Sequence, residues 1–447
     1  MENNKTNINK GNPWALLPIV VFLILYIGLG IAFGDFYKMS VVVAFLAAIL
    51  VGCLQHRRSS FDEKISIMAS GLADKNIVTM ILIFLASGIF AGVLGRDSAA
   101  SVADLLLSYV PAKYSALVLF AVSCFVSTAM GTSCGTIAVI GPIACSLSGS
   151  TGINLALCMG SVIGGAMFGD NLSFISDTTI AATTTQGCKM KDKFRENFFI
   201  ALPAAILTIG ILLLFAMTES DVTSYAPKEP NLLLLIPYVL VLIGGVIGIN
   251  VFVVLIGGIG ASVAIKLYLA VEFSEIVGSM GSGASGMFEV ILVTIIVTML
   301  SALMRHFGGF DALLYFVKRT FKGKVGGQLG IGALVAAMDI ATANNTVAIV
   351  MAAPIAKNIS EEYGIPNTKT ASILDIFGSV VQGVLPYGAQ MIYAVSAITV
   401  AYAGGVIPNT ISAVEIIPYL FYPILLAISA IAFAFLPSIG SKRKNNK

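Results

Sequence analysis

The chain has 447 residues, 57% of them hydrophobic and 11% charged, with a mean hydropathy of +0.94, which excludes an ordinary soluble domain. Its formal net charge of +3 is small, and the basic residues are spread through short loops and tails, which excludes nucleic acid as a partner. What remains is an all-α, polytopic membrane protein surrounded by a lipid bilayer.

Lys5 and Lys10 precede a first apolar run, Trp14 to Phe33. It is too long for a signal-peptide core and lacks a small-residue cleavage site, so it reads as a retained span. Further spans are expected at Met39 to Leu54, at Ile77 to Leu94, in a broken pair between Ser115 and Gln186, and at Phe198 to Met217. The second half repeats the order with Leu232 to Ile249, Val251 to Leu269, Val290 to His306, a broken pair between Gly326 and Tyr402, and Ile416 to Leu436. Each unbroken run is near the ~20 residues a helix needs to cross hydrocarbon. Ser101 to Val110 and Phe310 to Phe321 read as interfacial helices. Cys53, Cys124, Cys134, Cys145 and Cys158 lie within apolar segments without metal-ligand spacing and read as buried small hydrophobes.

Positive-inside sorting places His56-Arg57-Arg58, the run Lys189 to Arg195, the stretch Arg305 to Lys324 and the tail Lys442-Arg443-Lys444 in the cytoplasm. Asp35, Glu219 to Glu229 and Glu361-Glu362 fall outside. Both termini are then cytoplasmic, and the expected division is a tail (1–13), a first repeat (14–217), an external linker (218–230), a second repeat (231–437) and a basic tail (438–447). The first span of one half runs outward and its counterpart from Leu232 runs inward, so the repeats have inverted topology. An even number of single crossings cannot connect Leu94 outside to Lys189 inside. Each half therefore needs a re-entrant hairpin, unless Ser101 to Val110 also enters the membrane.

The repeat is visible in the residues. Thr132-Ser-Cys-Gly-Thr136 returns as Thr342-Ala-Asn-Asn-Thr346, and Gly160-Ser-Val-Ile-Gly-Gly165 as Gly378-Ser-Val-Val-Gln-Gly383. The second offset places Gly388 opposite Asp170. In each copy small and polar residues interrupt an apolar run, and unwound backbone at bilayer depth is tolerated only where protein buries it or it lines a cavity. Two matched interruptions point to one central transport site.

Gly169-Asp170-Asn171-Leu172-Ser173-Phe174-Ile175-Ser176-Asp177-Thr178-Thr179 sets two carboxylates and several neutral oxygens in an apolar stretch with no Lys or Arg before Lys189. A charge at the bilayer centre costs ~3 kcal/mol or more, so such residues face a cavity. Oxygen clusters suit a hard cation such as Na+, and Asp170 with Asp177 form the expected metal contacts. Desolvation favours the protonated acid and a bound cation the ionised one, so a single carboxylate can exchange H+ for Na+. The alternative for Asp177, Thr178 and Thr179 is helix capping. Thr132, Ser133 and Thr136 add uncharged oxygens, while Asp339, Asn344, Asn345 and Thr346 form a second group around the later break. Asp375, Gln382, Tyr387 and Gln390 complete the second half as candidate solute contacts; Asp375 alternatively pairs with Lys369, six residues away.

Gly131-Thr-Ser133-Cys-Gly135 fits a serine-hydrolase elbow by spacing, but neither histidine, His56 or His306, lies in a broken segment. Gly281-Ser-Gly283-Ala-Ser-Gly286 fits a dinucleotide fingerprint without a strand before it and reads as a flexible linker. No enzyme activity is expected.

GDNLSFISDTT, preceded by GTSCGT and an apolar glycine-rich stretch, resembles the signature of the NhaC family of Na+/H+ antiporters in the ion transporter superfamily. The resemblance implies an inverted-repeat fold in the cytoplasmic membrane, dimerisation, no cofactor beyond the transported Na+ and H+, and a cation site at Asp170 supported by Ser173, Ser176 and Asp177. The family tends to have proline where Phe174 stands and Pro-Trp where Pro386-Tyr387 stands. The latter variation resembles a branch suspected of carrying amino acids. The expected function is Na+/H+ antiport, with cation-coupled transport of an amino acid or small organic acid as the alternative.

Overall fold

The computed structural model describes residues 10–29, 32, 40–173, 176–218, 228–247 and 249–436. Most of the N-terminal tail, Asp35, Phe174, the acidic part of the linker and the C-terminal basic tail lie outside the described residues. All regular structure among those described is helical.

The first half comprises α1 (Leu17–Leu23, running on as a wider π turn to Gly28), α2 (Val41–Leu54), α3 (Phe61–Leu72), α4 (Lys75–Tyr109), α5 (Ser115–Met130), α6 (Ser133–Thr151), α7 (Leu155–Asn171), α8 (Asp177–Gln186) and α9 (Met190–Thr218). The second half follows with α10 (Leu232–Val246), α11 (Val251–Tyr268), α12 (Phe273–Ser285), α13 (Phe288–His306), α14 (Gly309–Thr320), α15 (Gly323–Thr342), α16 (Asn345–Tyr363), α17 (Asn367–Val384), α18 (Ala389–Ala403) and, after a short turn at Ala413–Ile416, α19 (Phe421–Ala434). The two halves match in order, from α1 with α10 to α9 with α19, the kinked α4 answering to α13 and α14 together. Among the described residues, five helices are long and apolar enough to cross a membrane, or up to seven if each bent pair is one span. Large apolar side chains such as Ile206, Leu207 and Leu214 are exposed on α9, as lipid-facing surfaces require.

Backbone punctuation is duplicated too. Gly95 kinks α4 with φ 68° where Gly308 separates α13 from α14 with φ 81°. Pro142 lies inside α6 and Pro354 inside α16, and both helices end on a left-handed glycine, Gly152 and Gly364. Each second member stands 212 residues on (354 less 142, 364 less 152), and this register sets Gln382, not Gly388, opposite Asp170. The helix boundaries follow this register, Ser133–Thr151 with Asn345–Tyr363, rather than the offset drawn from the glycine-serine motifs.

Glycines bring the central helices close. A Cβ on Gly165 would sit 2.3 Å from the Phe120 carbonyl and one on Gly169 2.5 Å from that of Cys124, so α7 lies directly on α5. The segment expected to be a linker, Gly281 to Gly286, instead forms the end of α12, where Gly283 meets Gly88 and Gly92 of α4. An amphipathic helix the sequence reading passed over, α3, begins with a capping box in which Ser60 and Glu63 satisfy each other's backbone amides.

Candidate functional site

Both interruptions are built alike. At the first, α5 ends on Gly131 (φ 70°) and α6 starts after Thr132, whose hydroxyl accepts from the Gly135 amide at 3.3 Å. At the second, α15 ends on Ala343 (φ 49°) and α16 starts after Asn344, whose Oδ1 accepts from the Val347 amide at 3.1 Å. The side chains of Thr132 and Asn344 are thus N-caps, each satisfying an amide of the first turn. Thr136 turns its hydroxyl back onto the Thr132 carbonyl at 2.9 Å.

Asp170 ends α7 and is 4% exposed. Its Oδ2 accepts from the Ser133 backbone amide at 3.1 Å, so the carboxylate faces the positive N-terminal end of α6. The Ser176 hydroxyl stands beside it, while Oδ1 is buried without a hydrogen-bond partner. Asp177 opens α8, is exposed, and accepts from its neighbour's amide, Thr178 N, at 3.0 Å. Its other oxygen accepts from the Thr346 hydroxyl of the second half at 2.7 Å. Asp177 thus joins the first turn of α8 to the second repeat, while the N-cap position itself, Ser176, makes no side-chain cap bond. Ser173 and Ser176 are buried, the latter bonded to the Thr178 hydroxyl at 2.9 Å.

The second half closes over this point. Gln390 donates to the Ser133 hydroxyl at 3.1 Å, and Ser379 donates to Asn171 Oδ1 at 2.7 Å. Gln382, the counterpart of Asp170, donates to the Ala343 carbonyl at 2.9 Å. Asp339 is wholly buried with neither oxygen hydrogen-bonded, and Tyr387, packed edge-on against Phe22 and Phe45, donates to the Ile340 carbonyl at 2.8 Å. Around the breaks the unpartnered buried atoms include Asp170 Oδ1, Asp339 Oδ1 and Oδ2, Gln382 Oε1 and Gln390 Oε1. These are acceptors, the type a cation or a proton satisfies. Among the described residues no three His, Cys, Asp or Glu side chains gather into a metal cluster, so a cation here would be held by single carboxylates with neutral oxygens.

Asp375 departs from expectation. It pairs with neither solute-facing space nor Lys369; its Oδ2 accepts from Lys193 Nζ at 2.5 Å and from Asn197 Nδ2 at 2.8 Å, all three residues fully buried. Lys369 instead donates to the carbonyls of Phe433 and Leu436. The run Lys189 to Arg195 reads as a basic cytoplasmic loop, but α9 begins at Met190 and carries Lys193, Glu196 and Asn197 on one inward face. Their i, i+3, i+4 spacing is the signal that could have revealed them.

A cavity of about 440 Å³ runs beside the second break, lined by Asp74, Ser70, Thr298, Arg305, His306, Thr342 and Asn344 among others. A small extension continues to Ala343 and Tyr387. Neither reaches Asp170. Asn345 is half-buried at the start of α16, as is Thr346, and neither lines the cavity.

Comparison with known proteins gives one family match: the model described as Na+/H+ antiporter family matches residues 9–217 and 227–435. An uncharacterized Na+/H+ antiporter of Haemophilus influenzae is 27% identical over 251 residues, 52% of each chain. A malate-2H+/Na+-lactate antiporter of Bacillus subtilis is 25% identical over 43% of this chain and 42% of its own. The Na+/H+ antiporter NhaC of Bacillus subtilis is 23% identical over 82% of this chain and 86% of its own. The chain thus spans about half the length of the first two relatives and most of the third.

Proposed function

The chain belongs to the Na+/H+ antiporter family, and from that premise we propose that this multi-pass membrane protein exchanges Na+ for H+, with Asp170 as the shared carrier. The observation that carries this reading is the Asp170 carboxylate: buried, lodged between two interrupted helices, bonded through one oxygen to a helix N-terminus and unpartnered at the other. Proton and cation compete for that spare oxygen, so each is released as the other binds. Asp177, exposed and tied to Thr346, is the acid through which a cation passes between solvent and Asp170. Ser133, Ser176 and Gln390 supply neutral oxygens around it. The two repeats are inverted, so the same break can be presented to either side in turn.

The test is a proteoliposome assay with an imposed pH gradient and a lumenal pH dye. Added Na+ should dissipate the gradient in the native protein and not in Asp170→Asn; unchanged exchange by that variant would remove Asp170 from the mechanism.

One observation favours a second reading. The 440 Å³ cavity at the second break places Arg305 and His306 with Thr342 and Asn344, a volume and chemistry that fit a small carboxylate-bearing solute. Na+-gradient-driven accumulation of a labelled hydroxy acid or amino acid, lost in Arg305→Gln, would establish it, and absence of uptake across such a panel would leave ion exchange alone.

A further inference from the structure

Lys193 forms a fully buried ion pair with Asp375, and its surroundings contain more oxygen than an ammonium can use. Nζ donates to Asp375 Oδ2 (2.5 Å), to Thr179 Oγ1 (2.7 Å) and, at 3.4 Å, to the Asn171 carbonyl. Three N–H groups thereby find three acceptors. Asn197 Nδ2 braces the same group, donating to Asp375 Oδ2 at 2.8 Å and to the Asn171 carbonyl at 2.9 Å. Yet Asp375 Oδ1 and Asn197 Oδ1, on the same two side chains, are buried without partners. A bare monovalent cation has no such limit of three directed bonds and takes as many oxygens as fit around it.

We propose that Asp375, Thr179, Asn197 and the Asn171 carbonyl form a second monovalent-cation cage, which the Lys193 ammonium occupies as a tethered resident ion. The resident ion holds Asp375 out of the transport cycle, so that the cation load is set at Asp170. It also joins the end of α7 at Asn171 to the first turn of α8 at Thr179. A buried carboxylate stripped of its partner is strongly destabilising, so removing only the ammonium leaves a site that must recruit a cation.

Methionine reproduces the lysine side chain up to Cε and lacks the terminal nitrogen, which makes Lys193→Met the appropriate probe. The measurement is thermal stability of purified protein in NaCl against N-methyl-glucamine chloride. It is made in an Asp170→Asn background, because Asp170 is the site on which the proposed function rests. Asp170→Asn/Lys193→Met should gain a sodium-dependent rise in melting temperature that Asp170→Asn lacks, and adding Asp375→Asn should abolish it. No gain, or a gain that survives Asp375→Asn, overturns the cage. If the Lys193→Met protein cannot be recovered folded at any NaCl concentration while Lys193→Met/Asp375→Asn can, sodium does not fill the cage and the proposal also fails. A sodium response in Asp170→Asn alone would count against the proposed carrier, and the cage would then stand or fall on whether Lys193→Met enlarges that response and Asp375→Asn removes the increment.

Discussion

Asp170 and its counterpart Gln382 differ by one charge, and each is matched to the helix end it meets. The carboxylate accepts an amide at the start of α6, whereas the carboxamide donates to a carbonyl at the end of α15. Ser133 contributes to this in two separable ways, a backbone amide to Asp170 and a hydroxyl to Gln390. Ser133→Ala removes only the hydroxyl, a neutral bond worth about 0.5–1.5 kcal/mol, and apparent Na+ affinity should fall roughly two- to tenfold. Ser133→Pro also removes the amide. Proline is tolerated at the first position of a helix, and Thr132 before it is already extended (φ −155°, ψ 122°), so the fold should survive. The lost bond to a charged group is worth about 1.5–3 kcal/mol, and affinity should drop by a further order of magnitude or more. Equal affinities for the two variants in a Na+ titration of exchange would show that the amide does not matter to the carrier.

At the scale of elements, the two breaks are the same device with different residues, and the difference is testable. Ala343 adopts φ 49°, a left-handed conformation that costs a residue with a Cβ about 1 kcal/mol, where the first break uses glycine. Ala343→Gly should raise the melting temperature and Gly131→Ala lower it. Loss of either cap, through Thr132→Ala or Asn344→Ala, should destabilise by about 1 kcal/mol in the same assay. The polar interruptions were legible in the sequence, because each is a local departure from an apolar run; the capping roles of Thr132 and Asn344 within them were not. The rest of what was hidden was nonlocal. Lys193 sat in a run whose average charge said loop, and only its inward neighbour Asn197 marks it as core. Gly281 to Gly286 looked like a linker because nothing local shows that Gly88 and Gly92 await it on another helix. The 212-residue register was obscured because glycine-serine pairs recur wherever helices pack closely. Asp375, expected among the solute contacts with Lys369 as its alternative partner, pairs instead with a lysine on α9.

For the whole molecule, four side-chain bonds between the halves gather near the breaks: Gln390 with Ser133, Thr346 with Asp177, Ser379 with Asn171 and Asp375 with Lys193. A movement of one repeat against the other at the breaks must break or carry these bonds together. The cavity beside the second break lies at the end of α13 marked by Arg305 and His306, the side that positive-inside sorting assigns to the cytoplasm. Ser70 and Ser301 both line it. In a background with the six native cysteines replaced, Ser70→Cys and Ser301→Cys should react with a membrane-impermeant maleimide from the cytoplasmic face and not from the other. If inverted repeats alternate access, saturating Na+ should change the labelling rate at both positions in the same sense, because one rearrangement closes one cavity. Labelling from the external face would reverse the assigned orientation. Rates indifferent to Na+ would separate the cavity from the ion site and leave the bonds between the halves as static packing.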